Sequence, residues 1–401
     1  MQDKALREAA AAFSLTKEHL FAVRDGVTAA VEARLSERSS SLALYPSFLR
    51  RPVGAVPDGF YLALDFGGSN IRAARIELSG GQLRCGRIVK KPLVDPVGKY
   101  DYRHGVTTEE LFLFVAGLVS EAAGTDGGLL GHTFSFPTRQ TGCNEAELLE
   151  WTKEMSVSGA CGRDVQDLLR TALRSLGRSD IEPAVLLNDT TATLLSGAYH
   201  DPGTLVGTIC GTGHNSCYEE PTLRPTMIVN PESGNFDALP FTVFDNLLDE
   251  QSQYPGRQRL EKMTAGQYLG DLVKLAAKQC GLPLPPVWSA AAFTPLLARR
   301  AAEPTAVLVR SVVLRAARLA AAELAALVCR SGVSEETPAV AADGSVFAKL
   351  PLFFQETAAW LPVLAERPVR LYLEPEGSLS GAAIAAACLR ADGAVTAGKG
   401  Q

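Results

Sequence analysis

The chain has 401 residues, more than one core comfortably serves, so two domains are expected. With 46% hydrophobic and 21% charged residues it has an ordinary globular balance, and a formal net charge of −5 speaks against a nucleic-acid binder or a basic membrane-surface protein. Its eight cysteines (Cys85, Cys143, Cys161, Cys210, Cys217, Cys280, Cys329 and Cys388) are scattered without a C-x-x-C pair, which argues against a zinc site or disulfide framework and for reduced thiols in a cytoplasmic protein.

In chain order, the first residues include Asp3, Lys4, Arg7 and Glu8 and no long apolar run, so no signal peptide is expected. Residues 3 to about 35 are rich in Ala, Leu, Glu, Lys and Arg and lack proline, which predicts helix. Pro46, Pro52 and Pro57 make 39–58 an extended connector. From Phe60 the runs "FYLALDF", "IRAARIEL" and "LRCGRIVK", divided by Gly-rich turns, predict a meander of strands. "TTEELFLFVAGLVSEAAG" has the Thr cap and early acids of a helix start. "GLLGHTFSFP" predicts a strand entering a Pro loop, "VQDLLRTALRSLG" a helix ended by Gly177, and "PAVLLND" a strand ending on polar residues.

The order then repeats. "LVGTICGTGHNSCYEE" reads strand, Gly turn, strand, and "LRPTMIVNPESG" holds another strand. Helices are predicted from about 258 to 280 and from 306 to 329. In the second, Arg310, Arg315, Arg318 and Glu323 interrupt the apolar run 307–328, so it reads as a buried helix and not a membrane span. "PAVAADGSVF" and "VRLYLEPEGS" predict strands ending in Gly-Ser turns, and a last helix is expected at 382–390. Strands alternating with helices argue for α/β layers. "LALDFGGSNI" and "GTICGTGHNS" share a plan of apolar strand, two glycines, a small hydroxyl residue and Asn, which is either a sign of two related halves or a chance likeness of two turns.

Several stretches carry possible chemistry. In Asp65-Phe66-Gly67-Gly68-Ser69-Asn70, the glycines let backbone N–H groups approach an oxyanion, and Ser69 and Asn70 add donors. Asp65 repels phosphate but suits Mg²⁺ held through water. The motif is neither a P-loop nor G-x-G-x-x-G, and alone it is equally well read as a hairpin turn. Asn188 and Asp189 in "LLNDTTATLL" stand where a strand meets a helix. Thr190 and Thr191 are candidate caps of that helix, and Asp189 is either an N-cap or a carboxylate that accepts a proton from a substrate hydroxyl, with Asn188 as an orienting amide. Ser135 and Phe136 precede Pro137, which fixes the loop and exposes backbone groups, and Thr152 and Lys153 follow in "EWTKEM", where Lys153 is either a solvated lysine or a neutraliser of a transferring phosphoryl group. With Asn215, Glu232 and Glu261 these residues make a set of carboxylates and amides suited to sugar hydroxyls, which both donate and accept.

These stretches, with "FSFPTRQTG", "WTK", "VNPESGNF", "FDNLLDEQSQYPGRQRLEKMTAGQYLG", "ADGSVF" and "EGSLSGAA", resemble the hexokinase family of the actin-like ATPase-fold superfamily, in order over nearly the whole chain. The resemblance implies an α/β fold of two actin-like ATPase-fold (ribonuclease H-like) domains with mixed sheets around a deep cleft. The small domain would be 56–187 plus 382–401, and the large one 1–55 and 188–381. It implies an ATP-dependent hexokinase that moves the γ-phosphoryl of MgATP to the 6-hydroxyl of a hexose, glucose being expected, with domain closure. Sugar contacts would be Ser135, Phe136, Thr152, Lys153, Asn188, Asp189, Asn215, Glu232, Gln258 and Glu261. Asp189 would be the general base, aided by Lys153. ATP contacts would be Asp65, Gly67, Gly68, Ser69, Asn70, Thr212, Gly266, Gln267, Gly377 and Ser378, with Asp65 reaching Mg²⁺ through water. No nucleic acid or membrane partner is expected, and the protein would be a monomer or homodimer.

The sequence departs from the family pattern in places. Ser69 replaces threonine, Glu154 and Met155 replace Gly-Phe, Ser233 replaces tryptophan, and Leu379 and Ser380 replace Gly-Lys. These departures predict weaker ATP affinity than is usual. The rivals are a catalytically weak sugar sensor on the same fold and an actin-like ATPase indifferent to sugar. A kinase for fructose or mannose is a third, since hexoses differ at one or two hydroxyls.

Overall fold

The computed structural model describes residues 2–52, 54–152, 155–283, 290–298, 303–332 and 337–397. The chain forms two compact units. Unit 1 comprises Met1–Tyr45, Gly203–Pro221 and Asn230–Pro375, and unit 2 comprises Pro46–Pro202, Thr222–Val229 and Glu376–Gln401.

The sheet of unit 2 places its strands in the order Ile181–Leu187, Gly128–Phe134, Gly59–Phe66, Asn70–Ser79, Gln82–Cys85, with Val89–Pro92 also pairing to Asn70–Ser79. The first three run parallel and the remaining pairings are antiparallel. In unit 1, the four strands lying wholly within the unit follow the same plan. Arg370–Leu373, Ala339–Asp343 and Thr204–Cys210 are parallel neighbours, and His214–Glu220 pairs antiparallel to the last. The likeness between "LALDFGGSNI" and "GTICGTGHNS" is thus structural. Each begins the hairpin of a sheet whose other neighbour is parallel.

Helices differ from the expectations in instructive ways. The helix expected at 3–35 is two, Gln2–Ala12 and Lys17–Leu35. Thr16 caps the second by accepting from the His19 N–H, while Phe13 turns into the core at the break. The helix expected at 258–280 is also broken, at Ala265, into Arg259–Thr264 and Gly266–Gln279. The last helix begins earlier than residue 382, at Gly377, so Gly377 and Ser378 form its first turn and not a turn after a strand. Helices Val243–Gln251, Ser345–Lys349 and Phe353–Leu364 fall where no element was expected.

Glycines let the Gly377–Ala397 helix sit close to its neighbours in unit 2. A Cβ on Gly131 would stand 1.9 Å from the Ala382 carbonyl oxygen, and one on Gly381 would stand 1.9 Å from that of Ala192. This close approach seats the helix on the strand Gly128–Phe134 and against the helix Asp189–His200, whose first residue is Asp189. The core beneath includes Phe66, Phe134, Phe136 and Trp151. Their rings meet edge-to-face at 5.3 Å (Phe66–Phe134), 5.6 Å (Phe66–Phe136) and 5.0 Å (Phe136–Trp151).

In unit 1 the helix Pro304–Arg330 is buried on most of its surface, as the interrupted apolar run predicts. Among the described residues, no helix is long and apolar enough to cross a membrane.

Candidate functional site

The expected site residues divide between the units. In unit 2 the strand Ile181–Leu187 delivers Asn188 and Asp189 to the start of a helix. Asn188 is its N-cap: Oδ1 accepts from the Thr190 N–H at 3.0 Å and from Thr190 Oγ1 at 2.8 Å. Asp189 follows as the first helical residue. Its Oδ1 accepts from the Thr190 N–H at 2.9 Å, and its Oδ2 accepts from Ser135 Oγ at 3.1 Å. The partial positive charge of a helix N-terminus favours a carboxylate there. The capping role belongs to Asn188, so the Asp189 carboxylate is aimed by the helix and by Ser135 and is only partly buried. Ser135 is itself fixed by its backbone N–H, which donates to the Phe66 carbonyl at 3.3 Å.

Phe136 lies beside them, yet its side chain is 4% exposed and belongs to the aromatic core, so its ring has little surface to offer a ligand. Thr152 is partly buried, and its carbonyl accepts from the Met155 N–H at 3.2 Å. Met155 is buried in the core. Lys153 and Glu154 lie outside the described residues.

The Gly67-Gly68-Ser69 turn links the antiparallel strands, with the Gly67 N–H donating to the Asn70 carbonyl at 3.2 Å and Ser69 exposed. Register sets Asp65 opposite Arg72. Arg72 Nε and Nη2 donate to Asp65 Oδ2 at 2.9 and 2.6 Å, and Nη1 pairs with Glu376. Glu376 immediately precedes the Gly377-Ser378 turn, and Thr133 Oγ1 holds that turn by donating to the Ser378 carbonyl at 2.8 Å. Unit 2 therefore gathers Asp65, the Gly turn, Gly377 and Ser378 around Arg72. Leu379 and Ser380 are buried in the helix that follows. Arg72 has a signal in the sequence: residues equidistant from a tight turn face each other across the hairpin.

In unit 1 the second Gly turn meets the helix Gly266–Gln279. The Gly266 N–H donates to the Gly211 carbonyl at 2.8 Å, and the Gln267 N–H to the Thr212 carbonyl at 3.3 Å. Thr212, Gly266 and Gln267 are thus brought together, with these two N–H groups spent on the turn. Of the residues expected to contact sugar in unit 1, Asn215 and Glu232 share a hydrogen-bond network. Asn215 Nδ2 donates to Glu232 Oε1 at 3.2 Å, and Asn215 Oδ1 accepts from the N–H groups of Ser216 at 2.9 Å and Ser233 at 3.1 Å. Asn230 Nδ2 donates to the same Glu232 oxygen at 2.7 Å, while its Oδ1 accepts from the Glu232 N–H at 2.9 Å. These bonds hold Glu232 in the left-handed region, at φ 53°, which a non-glycine residue adopts at a cost. Asn230 had no assigned role in the sequence; an Asn two residues before a tight turn is its signal. Gln258 is also left-handed, at φ 55°, and its N–H donates to Asn235 Oδ1 at 3.1 Å.

Glu261 Oε2 accepts from the His214 N–H at 2.9 Å. Burial pushes the His214 ring down to about 4, so it stays neutral near pH 7, set against Thr264 Oγ1 at 2.7 Å. Gly213 makes room for Glu261: a Cβ there would stand 2.6 Å from Oε2. Gly213→Ala is therefore expected to displace the Glu261 carboxylate and weaken binding at the unit 1 sugar set about tenfold or more, read as a rise in hexose KM. An unchanged KM would show that Glu261 does not touch the sugar.

Among the described residues, no group of three or more His, Cys, Asp or Glu side chains is placed to hold a metal ion. Asp65, with Arg72 on its carboxylate, fits a cation only through water.

Two family profiles, both described as Hexokinase, match residues 5–199 and residues 205–280 with 295–388. A solved structure described as a hexokinase superimposes with a TM-score of 0.83 at 30% identity, covering 97% of this chain and 99% of that one. The hexokinase of Schistosoma mansoni, solved in complex with glucose, gives a TM-score of 0.82 at 27% identity over 97% of this chain and 100% of that one. Hexokinase-1 of Homo sapiens is 34% identical over 295 residues, which are 68% of this chain and 32% of the human protein; the chain thus spans about a third of that relative's length.

Proposed function

The chain belongs to the hexokinase family, and from that premise we propose that it transfers the γ-phosphoryl group of MgATP to the 6-hydroxyl of a hexose, with glucose as the favoured substrate. The observation that supports this reading best is the Asp189 carboxylate, set at a helix start with Ser135 Oγ donating to it at 3.1 Å and not consumed as the helix cap.

In this reading each unit carries its own groups suited to hexose hydroxyls, Asn188 and Ser135 in unit 2 and Asn215, Glu232, Gln258 and Glu261 in unit 1. Asp189 accepts the proton of the 6-hydroxyl as O6 attacks the γ-phosphorus. The O6–P bond forms while the bond from the γ-phosphorus to the bridging oxygen of ADP breaks, and the electron pair leaves with ADP. Most of the rate comes from positioning and from electrostatic stabilisation of the spread negative charge, so few reacting groups are needed. The two Gly turns supply backbone N–H groups at the phosphates, and Lys153 supplies a positive charge. Bound Mg²⁺ would neutralise phosphate charge. Asp65 would steer its water, which requires Arg72 to share or release the carboxylate.

The test is ADP release from MgATP with a panel of hexoses. Release that depends on glucose supports the reading. Stronger release with fructose or mannose would reassign the substrate, and release indifferent to any sugar would overturn the kinase reading.

A further inference from the structure

One buried group in unit 1 stands directly behind the sugar set. Glu323, on the helix Pro304–Arg330, is 0% exposed, and its Oε2 lies 3.2 Å from Ser216 Oγ. Ser216 Oγ is 2.9 Å from Thr208 Oγ1, and Thr208 Oγ1 donates to the Asn215 carbonyl at 3.3 Å. Glu323 Oε1 and Ser233 Oγ are both buried, and the Ser233 hydroxyl interacts with the Glu323 carboxyl. Ser233 stands where the family resemblance places tryptophan. Ser233 is 1% exposed, and the Glu323 carboxyl faces its hydroxyl.

The proton count of this chain is decisive. Each hydroxyl has one proton to give. If Thr208 gives its proton to Asn215, then Ser216 must give its own to Thr208, and the Ser216–Glu323 contact needs a proton from Glu323. If Glu323 is ionised, the chain runs the other way. Thr208 donates to Ser216, Ser216 donates to the carboxylate, and the Asn215 carbonyl loses its Thr208 bond.

We propose that Glu323 carries a proton in the working protein and, as a neutral donor at the head of this chain, is a positioning residue that holds Asn215, and through it Glu232, in place for the sugar. The inference rests on the hexose reading above. The surroundings agree. Burial pushes the carboxyl up to about 7, with Ser233 and Ser216 only partly offsetting it. The ionisable groups on the surrounding elements have other partners. His214 is set on Thr264, Glu261 accepts from the His214 N–H, Lys262 pairs with Asp249, Arg315 with Asp245, and Arg330 with Glu220. Cys210 is a buried thiol, pushed up by burial and by the Glu261 charge, so it brings no charge to Glu323. Because its folded value lies above its ordinary one, Glu323 favours the folded state fully at low pH. That contribution falls as pH rises toward about 7.

The experiment compares the wild type, Glu323→Gln and Glu323→Ala, taking hexose KM and kcat between about pH 6 and about pH 8.5. The wild-type KM should rise about 3- to 10-fold across this range, the worth of one hydrogen bond, with a smaller change in kcat. Glu323→Gln, whose amide always donates, should keep a low KM that does not respond to pH. Glu323→Ala should have a raised KM throughout. A wild-type KM flat with pH, or the same curve in Glu323→Gln, would overturn the proposal even if Glu323→Ala does not fold. Infrared difference spectra separate this from a failure of the hexose reading. A protonated-carboxyl band that disappears with rising pH and is missing in Glu323→Gln supports the protonated group whether or not sugar is turned over, and its absence from the wild type at low pH sinks the proposal.

Discussion

Asp189→Ala is expected to lower kcat for hexose phosphorylation about 10²–10⁴-fold while hexose binding largely survives. The geometry sets this split. The Asp189 carboxylate touches Ser135 Oγ and the Thr190 N–H, and Asn188, the N-cap, accepts from that same N–H through its own Oδ1. Alanine at 189 therefore removes the proton acceptor without uncapping the helix, and the rest of the sugar set lies on other residues. Parallel turnover and calorimetric titration with glucose check it. Near-normal kcat would take the base role from Asp189. Equal losses of binding and turnover would make it a binding residue only.

The second large effect is on stability. Arg315 is 1% exposed and forms a two-point ion pair with Asp245, Nη1 to Oδ2 at 2.7 Å and Nη2 to Oδ1 at 2.8 Å. The guanidinium also lies 4.7 Å from the centre of the Phe13 ring, and Phe13 stacks on Phe244 at 5.3 Å. Asp245 also closes the capping box of its helix, accepting from the Thr242 N–H and Oγ1 at 2.7 Å each. Asp245→Ala leaves a buried, unpaired guanidinium and removes the side-chain half of the capping box, although Thr242 Oγ1 still accepts from the residue 245 N–H, and should cost about 3–5 kcal/mol of unfolding free energy. The double variant Asp245→Ala with Arg315→Met should recover much of that loss, because no charge is then stranded. Urea unfolding of the three proteins decides it, and a single variant as stable as the wild type would contradict the account. Burial alone would push Asp245 up, but the Arg315 charge and the bonds from Arg315 and Thr242 hold it below the usual carboxylate range. Its stabilisation is therefore present above the ordinary Asp value and is lost as pH falls through the lowered one.

What the sequence made legible was local. The strand–turn–strand units at residues 62–72 and 204–220 could be read from apolar runs ending in glycines, and their likeness reflects two sheets of one plan. Asn188 and Asp189 could be placed at a strand–helix junction, but that Asn188 caps the helix, and not Asp189, Thr190 or Thr191, depends on side-chain geometry that spacing does not carry. Partners distant in sequence were hidden. Arg72, bonded to Asp65, also pairs with Glu376, 304 positions further along, and no periodicity marks such a pair. Glu323 looked like one of several charges interrupting an apolar helix. Its neighbours Ser216 and Ser233 come from other elements, so its burial against them could not be inferred from its own helix. The break at Ala265 was masked because both flanking segments are good helix formers, and it is imposed by the Gly211-Thr212 turn taking up the Gly266 and Gln267 N–H groups.

The central claim is phosphoryl transfer to a sugar, and the most direct measurement follows ADP and glucose 6-phosphate together in one reaction with MgATP and glucose. The account predicts that the two products appear in equal amounts, and that ADP release falls to background when glucose is left out. ADP formed at the same rate without glucose, or glucose bound with no ADP formed, would contradict it.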